Sequence, residues 1–484
     1  MATSNLKVVI MGAGEVGKGL ARRLVTEGYQ VSIIDTSSAL LSEVENHLDV
    51  MTVRGNGAGL STLLAAGIDQ SDLFVGVSAS DEHNLLACGV AKQFGVPSTI
   101  ARVRGEEYLF PDRSFYQRAM NIDFLINPDQ VAAQELYDVL ENPVAQSVAE
   151  FAGGRLKLIG LRVTPNAPIC NRPLKELPAL GYHGALLVVS LVRGREVIVP
   201  RGDTRLHSGD QIFVIADKEA LHMVNEMGGI GEYHLRKVVI LGASRVAYFL
   251  SEKIDHNQTR MILIEKNEER CRKFADELQH LTILNGDGTD IAELKESGVS
   301  DADCFITTAE NDETNILSAL LAKEEGARRV IALLRKPQYI PLMMHIKPID
   351  VVINPRIATI HSIMRYIRRG KLLAMATIAG ERAEAVEVVV DPDSPLAGKR
   401  IRDLKIPENV LIGAIVRNDR VIIPRGDDVV EAHDQVILIG LRETVEKLDD
   451  LMTQSAEMHT IRSLFQSFKR TVAMVSDKKK NGTR

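Results

Sequence analysis

Short unbroken apolar runs recur along the chain, each followed by a stretch whose apolar residues return every three or four positions. In the first third the runs cover residues 7–11, 30–34, 49–53, 73–77 and 98–103, followed by 124–126. Apolar runs of strand length without alternation belong to strands covered on both faces, and strands alternating with helical segments predict a doubly wound parallel sheet. Asn127-Pro128 and Asn354-Pro355 each end a strand and start a helix, because proline suits a first helical turn and not a central strand. From 156 to 227 the texture changes. Short strands at 157–163, 185–191, 196–200 and 211–216 are separated by turn residues and precede a helix from 218. Residues 385–451 repeat that order, ending in a strand at 435–440 and a helix. Each stretch reads as a small α+β module of ~70 residues.

The chain is written twice. Lys7-Val-Val-Ile-Met-Gly-Ala13 returns as Lys237-Val-Val-Ile-Leu-Gly-Ala243, and Ile33-Ile-Asp35 as Leu263-Ile-Glu265, both 230 residues on. Gly55-Asn-Gly57 matches Gly286-Asp-Gly288, and Asp81-Glu-His-Asn84 matches Asp312-Glu-Thr-Asn315, at an offset of 231. Ile126-Asn-Pro128 matches Ile353-Asn-Pro355 at 227, and Pro200-Arg-Gly-Asp203 matches Pro424-Arg-Gly-Asp427 at 224. A constant order with slowly shrinking offsets describes a tandem duplication with short deletions. The fold class is therefore α/β: two tandem Rossmann-like doubly wound parallel-sheet domains, each followed by a small α+β module. The boundaries fall at 1–150, 151–230, 231–372 and 373–452, with a tail at 453–484.

Composition narrows the function. The 484 residues carry 58 Lys+Arg against 64 Asp+Glu, a net charge of −6, which argues against a general nucleic-acid binder. With 45% hydrophobic residues the chain has ample material for packed cores. No apolar run approaches the roughly 18–20 residues of a bilayer crossing. Cys88, Cys170, Cys271 and Cys304 form no C-x-x-C pair, so neither a zinc site nor a disulfide framework is indicated. The N-terminus lacks the apolar core of a signal peptide. The default location is a reducing cytoplasm.

Gly12-Ala13-Gly14-Glu15-Val16-Gly17 follows a strand, opens a helix, and is trailed by Asp35 at the end of the next strand. This is the dinucleotide fingerprint in its full context. The first glycine permits the tight turn, the second lets backbone approach the pyrophosphate, and the third lets helix and strand pack. Free N–H groups at the helix start favour phosphate. Asp35 is placed for the ribose hydroxyls and repels a 2′-phosphate, which disfavours NADP. In the second copy, Gly242-Ala243-Ser244-Arg245-Val246-Ala247 puts a side chain at the second glycine. Either Arg245 supplies compensating charge and Glu265 holds the ribose of a bound nucleotide, or Arg245 fills the pocket and this half is structural.

Asn56 and Asp287 turn beside the adenine position, where base recognition and plain turn chemistry are equal alternatives. Ser78 stands where the chain passes the nucleotide, with Thr308 as its counterpart, and Asp81 is read as a helix cap. Arg102 and Arg104 end the fifth strand, with Arg335 matching the latter; each is either a phosphate contact or a solvated arginine. His83 is the one residue that invites an enzyme reading, and the second copy has Thr314 there. A dehydrogenase needs a substrate domain with an acid or base beside the nicotinamide, and the following module has no such constellation. No catalytic or metal-ligating residue is assigned.

Gly12-x-Gly-x-x-Gly17, Asp35, Ser80-Asp-Glu-x-Asn84, the two Ile-Asn-Pro runs and the two Pro-Arg-Gly-Asp runs together resemble the regulatory proteins built from RCK (KTN) domains, in the tandem form associated with Trk-type potassium uptake. The resemblance covers roughly residues 5–451. It implies a cytosolic regulatory subunit, peripheral on the cytoplasmic face of the membrane, that forms a homo-oligomer (a dimer or a tetrameric ring) beneath a Trk-type membrane potassium channel subunit. NAD(H) and ATP or ADP bound to the Rossmann halves would set conductance. The family's nucleotide contacts fall on Gly12, Ala13, Gly14, Glu15, Val16, Asp35, Asn56, Ser78 and Arg102, and in the second copy on Gly242 through Val246, Glu265 and Asp287. The helices after the Asn-Pro pairs match those that join RCK domains.

Beyond 451, Ile461, Leu464, Phe465, Phe468 and Val472 recur at helical spacing among basic residues, and 459–484 carries seven basic residues and one acid, giving 7 − 1 = +6. A basic amphipathic helix rests on an anionic bilayer, docks on a partner, or packs within the oligomer. Two other functions fit the sequence less well: a free-standing nucleotide sensor or regulator of another cation channel, and an NAD-dependent oxidoreductase.

Overall fold

The computed structural model describes residues 6–108, 113–182, 184–194, 196–231, 234–343, 349–367, 372–378, 383–404, 406–407, 409–418 and 420–441, with backbone alone at 113, 341 and 372–378. The amphipathic segment anticipated at 459–484 lies outside these residues.

The first half runs β1 (Lys7–Met11), α1 (Glu15–Thr26), β2 (Gln30–Asp35), α2 (Ser38–Glu45), β3 (Met51–Arg54), α3 (Leu60–Ala65), β4 (Leu73–Gly76), α4 (Asp81–Gln93), β5 (Ser98–Arg102), α5 (Arg113–Met120), β6 (Phe124–Ile126) and α6 (Pro128–Leu140). The first module follows as β7 (Ala145–Phe151), β8 (Leu156–Arg162), β9 (Leu186–Arg193), β10 (Glu196–Ile198), β11 (Gln211–Asp217) and α7 (Leu221–Met227). The second half runs β12 (Lys237–Leu241), α8 (Arg245–Ser251), β13 (Arg260–Glu265), α9 (Glu268–Glu277), β14 (Thr282–Asn285), α10 (Ile291–Glu296), β15 (Cys304–Thr307), α11 (Asp312–Glu324), β16 (Val330–Leu333), α12 (Tyr339–Met343), β17 (Val351–Ile353) and α13 (Pro355–Ile367). The second module closes with β18 (Leu372–Ile378), β19 (Ala383–Val389), β20 (Lys399–Arg400), β21 (Val410–Arg417), β22 (Arg420–Ile422), β23 (Val429–Val430) and β24 (Gln435–Leu441).

These segments gather into two compact units. One joins the described residues up to Ser147 with those from 234 to Tyr366; the other joins those from Val148 to 231 with those from Ile367 onward. In the first unit both halves form parallel sheets of one order, β3-β2-β1-β4-β5-β6 and β14-β13-β12-β15-β16-β17. Val8, Val9 and Ile10, like Val238, Val239 and Ile240, are at most 1% exposed, as strands covered by helices on both faces must be. The strand order reverses between β1 and β4, so their C-terminal ends open a crevice.

Each half lends its last helix to the other. Ala132, Ala133, Leu136, Val139 and Leu140 of α6 complete the core over Val238, Ile240, Val246 and Leu250 of the second half. In return α13 lies on α1: a Cβ at Gly19 would meet Ile360 Cδ1 at 2.5 Å. Phe124 and Tyr366 stack with ring centroids 4.7 Å apart. The Asn-Pro starts make this reciprocity: Asn127 Oδ1 accepts from the N–H groups of Asp129 and Gln130, both at 2.9 Å, and Asn354 Oδ1 from Arg356 and Ile357 at 3.0 Å.

In the second unit the modules form five-stranded sheets of matching order, β10-β9-β11-β8-β7 and β22-β21-β24-β19-β18. They share one core in which Val189 and Ile215 join Ala414 and Ile439. Arg193 pairs with buried Asp210 at 2.7 Å, and Arg417 with buried Asp434 at 2.8 Å, so each module carries the same staple. Strand β7 was not anticipated from the sequence. Among the described residues no helix is long and apolar enough to cross a membrane.

Candidate functional site

A cavity of about 770 Å³ opens at the C-terminal edge of the first sheet. That volume suits a nucleotide-sized ligand. Its wall includes Gly12, Gly14, Glu15, Val16, Asp35, Asn56, Ser78 and Arg102, eight of the positions anticipated from sequence.

The three glycines of the first loop serve three different needs. Gly12 has φ +110°, and a Cβ there would stand 2.8 Å from the Ser78 nitrogen, so both conformation and space demand glycine. A Cβ at Gly17 would lie 1.8 Å from the Gly12 carbonyl oxygen, so its absence lets α1 pack on the turn. At Gly14 a Cβ would meet nothing within 4 Å. That position faces open space at the start of α1, where no side chain caps the helix. The unpaired N–H groups there are left for an anion.

Behind this wall Ala13 donates its N–H to Asp35 Oδ2 at 2.7 Å, and Ser37 donates to Asp35 Oδ1 at 2.8 Å. Those amides fix the carboxylate of a residue that lines the cavity. Asn56 closes a turn by accepting from Ala58 N at 3.0 Å. Ser78 is tied down by Asn84, fully buried, whose Oδ1 accepts from Ser78 N at 2.9 Å and Oγ at 2.8 Å. The Asn84 amide donates back to Ser78 O at 3.1 Å and to Arg102 O at 2.9 Å. Arg102 in turn donates to Ser78 O at 2.7 Å. Burial, with the nearby charge of Arg104, pushes the Arg102 pKa down, although a guanidinium remains cationic.

The cavity is completed by the other half. Arg335, Arg356 and Thr359 of the second half line it opposite Arg104 and Asp129 of the first, so arginines converge from both halves. Arg356, at the start of α13, stands 3.9 Å from Glu15 at the start of α1.

The second glycine loop is built differently. Gly242 keeps the turn, with φ +96° and a Cβ position 2.7 Å from Ala309 N. Ala243 donates to Glu265 Oε2 at 2.7 Å, repeating the Ala13–Asp35 bond. Ser244, however, is the N-cap of α8, its Oγ accepting from Ala247 N at 3.2 Å. Val246 is buried in the shared core. Arg245 points to the first half, 3.8 Å from Asp129 and 3.6 Å from Glu106. Asp287 accepts from Lys266 Nζ and Thr289 Oγ1, both at 2.7 Å, and these bonds hold its pKa down to about 2. Its carboxylate is thus committed to the turn and to Lys266.

A family model for the TrkA-N domain matches residues 8–128 and 238–355, and one for the TrkA-C domain matches 158–227 and 385–453. The Trk system potassium uptake protein TrkA of Halomonas elongata is 34% identical over 441 residues, spanning 90% of this chain and 95% of the relative. The chain belongs to the TrkA family. The protein of the same name from Azorhizobium caulinodans is 32% identical, over 93% of this chain and all of the relative. Among solved structures, the GsuK RCK domain superposes with a TM-score of 0.58 at 16% identity, covering 93% of this chain and 96% of that one, a likeness of fold. The GsuK channel bound to NAD gives the same TM-score, covering 93% of this chain and 80% of that one.

Within this TrkA-family chain the structure changes two sequence readings. Thr308 is not the counterpart of Ser78: Thr308 N bonds to Leu241 O as Val77 N bonds to Met11 O, and Ala309 stands under Gly242 as Ser78 stands under Gly12. Asp81 is not the cap of α4. Ser80 is, its Oγ accepting from His83 N at 3.1 Å, while Asp81 accepts from Arg104 N and Gly105 N at 2.6 Å and so holds the loop after β5. Sequence reasoning missed Asp129, Arg356 and Thr359. The available signal was their place just after the Asn-Pro pairs, since Asp129 and Arg356 are equivalent positions of the two copies.

Proposed function

We propose that this TrkA-family chain is the nucleotide-reading regulatory subunit of a Trk-type potassium uptake system, acting from the cytoplasmic face on a membrane subunit that supplies the pore. The observation that carries the reading is the first-half cavity, with Gly14 open at a helix N-terminus and arginines from both halves around it. NAD(H), ATP and ADP share the adenosine diphosphate this wall suits: Asp35 for the ribose, the α1 amides and Arg102 for the diphosphate. Arg104, Arg335 and Arg356 also line the cavity and would meet the further phosphate of ATP. The GsuK channel bound to NAD supports the choice of ligand class.

A ligand shifts a conformational equilibrium only by binding one shape better, typically by 1–3 kcal/mol. Phosphates held by arginines of both halves favour the arrangement that brings those arginines together. Among the described residues the cavity lining has a histidine, His83, but no lysine, tyrosine or cysteine, which favours a regulatory over a redox role. Potassium uptake by vesicles holding this chain and its membrane subunit tests the proposal. Uptake should respond to NADH or ATP with the native chain and lose that response with Gly14→Asp. An unchanged response in the variant would contradict it.

A further inference from the structure

The two halves present the same cross-half ion pair with the charges exchanged. In the first, Glu15 opens α1 and meets Arg356, which follows Asn-Pro in the second half, at 3.9 Å. In the second, Arg245 opens α8 and meets Asp129, which follows Asn-Pro in the first half, at 3.8 Å. Glu15 and Arg245 are equivalent by the 230-residue offset, and Asp129 and Arg356 by the 227-residue offset. The exchange has consequences for anions. Beside the first loop, the residue contributed from across the unit is a cation; beside the second, it is a carboxylate.

Three further facts separate the loops. Gly14 leaves the helix start open, whereas Ser244 gives its hydroxyl to the N–H of Ala247. Glu106 adds a second carboxylate 3.6 Å from Arg245. Among the described residues the Arg245 Nε and one of its terminal nitrogens are buried without hydrogen-bond partners, and these same two atoms stand at ion-pair distance from Asp129 and Glu106. A cation held in this way occupies the loop's anion-binding function with side chains of the same chain.

We infer that the second dinucleotide-type loop is closed to nucleotides by its own Ser244 cap and the Arg245–Asp129 pair, and that this exchanged pair decides which half binds. The inference rests on the reading that the first half binds nucleotide. The second half then serves the first as a partner, supplying Arg335 and Arg356, instead of acting as an independent sensor.

The test uses ADP as probe on the intact chain. Calorimetric titration should give one ADP per wild-type chain; in Ser244→Gly/Arg245→Glu/Asp129→Arg, which copies the first loop's arrangement onto the second, ADP should protect the amides of 243–248 from hydrogen exchange at least tenfold, a readout separate from the first cavity that Asp129 also lines. Hydrogen exchange of the wild-type chain with saturating ADP gives a reading independent of that variant's folding. Amides of 13–17 should be protected at least tenfold and those of 243–248 less than twofold. Two ADP per wild-type chain, strong protection at 243–248 in the wild-type chain, or a folded triple variant whose 243–248 amides ADP leaves unprotected would overturn the inference alone. An absence of ADP binding to the wild-type chain would overturn the proposed function together with it.

Discussion

Arg329 of the second half donates to the carbonyl oxygen of Val139 in the first half at 2.7 Å. The same guanidinium reaches Asn142 O at 3.3 Å and also Ala145 O, so one buried arginine caps the end of α6 and the start of β7. Carbonyls at a helix C-terminus lack partners and carry partial negative charge, which a buried cation satisfies. Its positional equivalent in the first half is Ser98, so the lock runs one way. Arg329→Ala should lower the unfolding free energy by about 2–4 kcal/mol. Lysine, with one ammonium in place of a fork, should recover little of it. Denaturant midpoints of the two variants check this.

The glycine loop separates folding from binding. Gly14→Asp should leave the melting temperature nearly unchanged, because the added Cβ would meet no described residue beyond its chain neighbours within 4 Å, and should weaken NADH binding at least tenfold by setting a carboxylate before the helix amides. Gly12→Ala should instead cost at least about 2 kcal/mol of stability, through positive φ and contact with the Ser78 backbone. A stable Gly12→Ala protein would contradict the geometry.

Asn84 ties the ends of β4 and β5 together, and Asn315 does the same in the second half, donating to Ala309 O at 2.9 Å and Leu333 O at 2.8 Å. Asn84→Ala should cost about 1–3 kcal/mol, since it strands partly buried backbone groups of Ser78 and Arg102. It should also weaken nucleotide binding, because Ser78 and Arg102 line the cavity. Thermal melts and titrations on one sample read both effects.

Burial pushes the Glu135 carboxyl on α6 up to about 7, with Arg365 opposing and the like charge of Asp138 adding. A raised carboxyl pKa means the folded state holds a proton that the unfolded chain has lost. Glu135 therefore favours folding most below about pH 4.5, and this contribution declines as pH rises towards about 7. Glu135→Gln should stabilise the chain at pH 8, on the order of 1–2 kcal/mol, and give no gain at pH 4. Equal effects at both pH values would contradict the burial.

The sheets were legible in the sequence because buried parallel strands are unbroken apolar runs. Strand β7 was not: Ala-Gln-Ser-Val-Ala-Glu-Phe alternates weakly and is only partly buried, so the sheet, more than its own pattern, makes it a strand. The near wall of the cavity was legible for a local reason, since turn, helix start and strand-end carboxylate lie within 24 residues, Gly12 to Asp35. The far wall was not. Arg356 and Thr359 reach the cavity only because the second half lends its last helix to the first, a packing relation with no period along the chain. The pairing of Ser78 with Ala309 was likewise hidden, because offsets of 230 and 231 differ by the one residue that decides which side chain meets the loop.

On this reading nucleotide binds in the first half, at the open start of α1. Calorimetric titration of NADH into the intact chain and into Gly14→Asp tests it most directly. The native chain should bind one NADH and the variant bind it at least tenfold more weakly, with the melting temperature unchanged. Native-like binding to folded Gly14→Asp would contradict it.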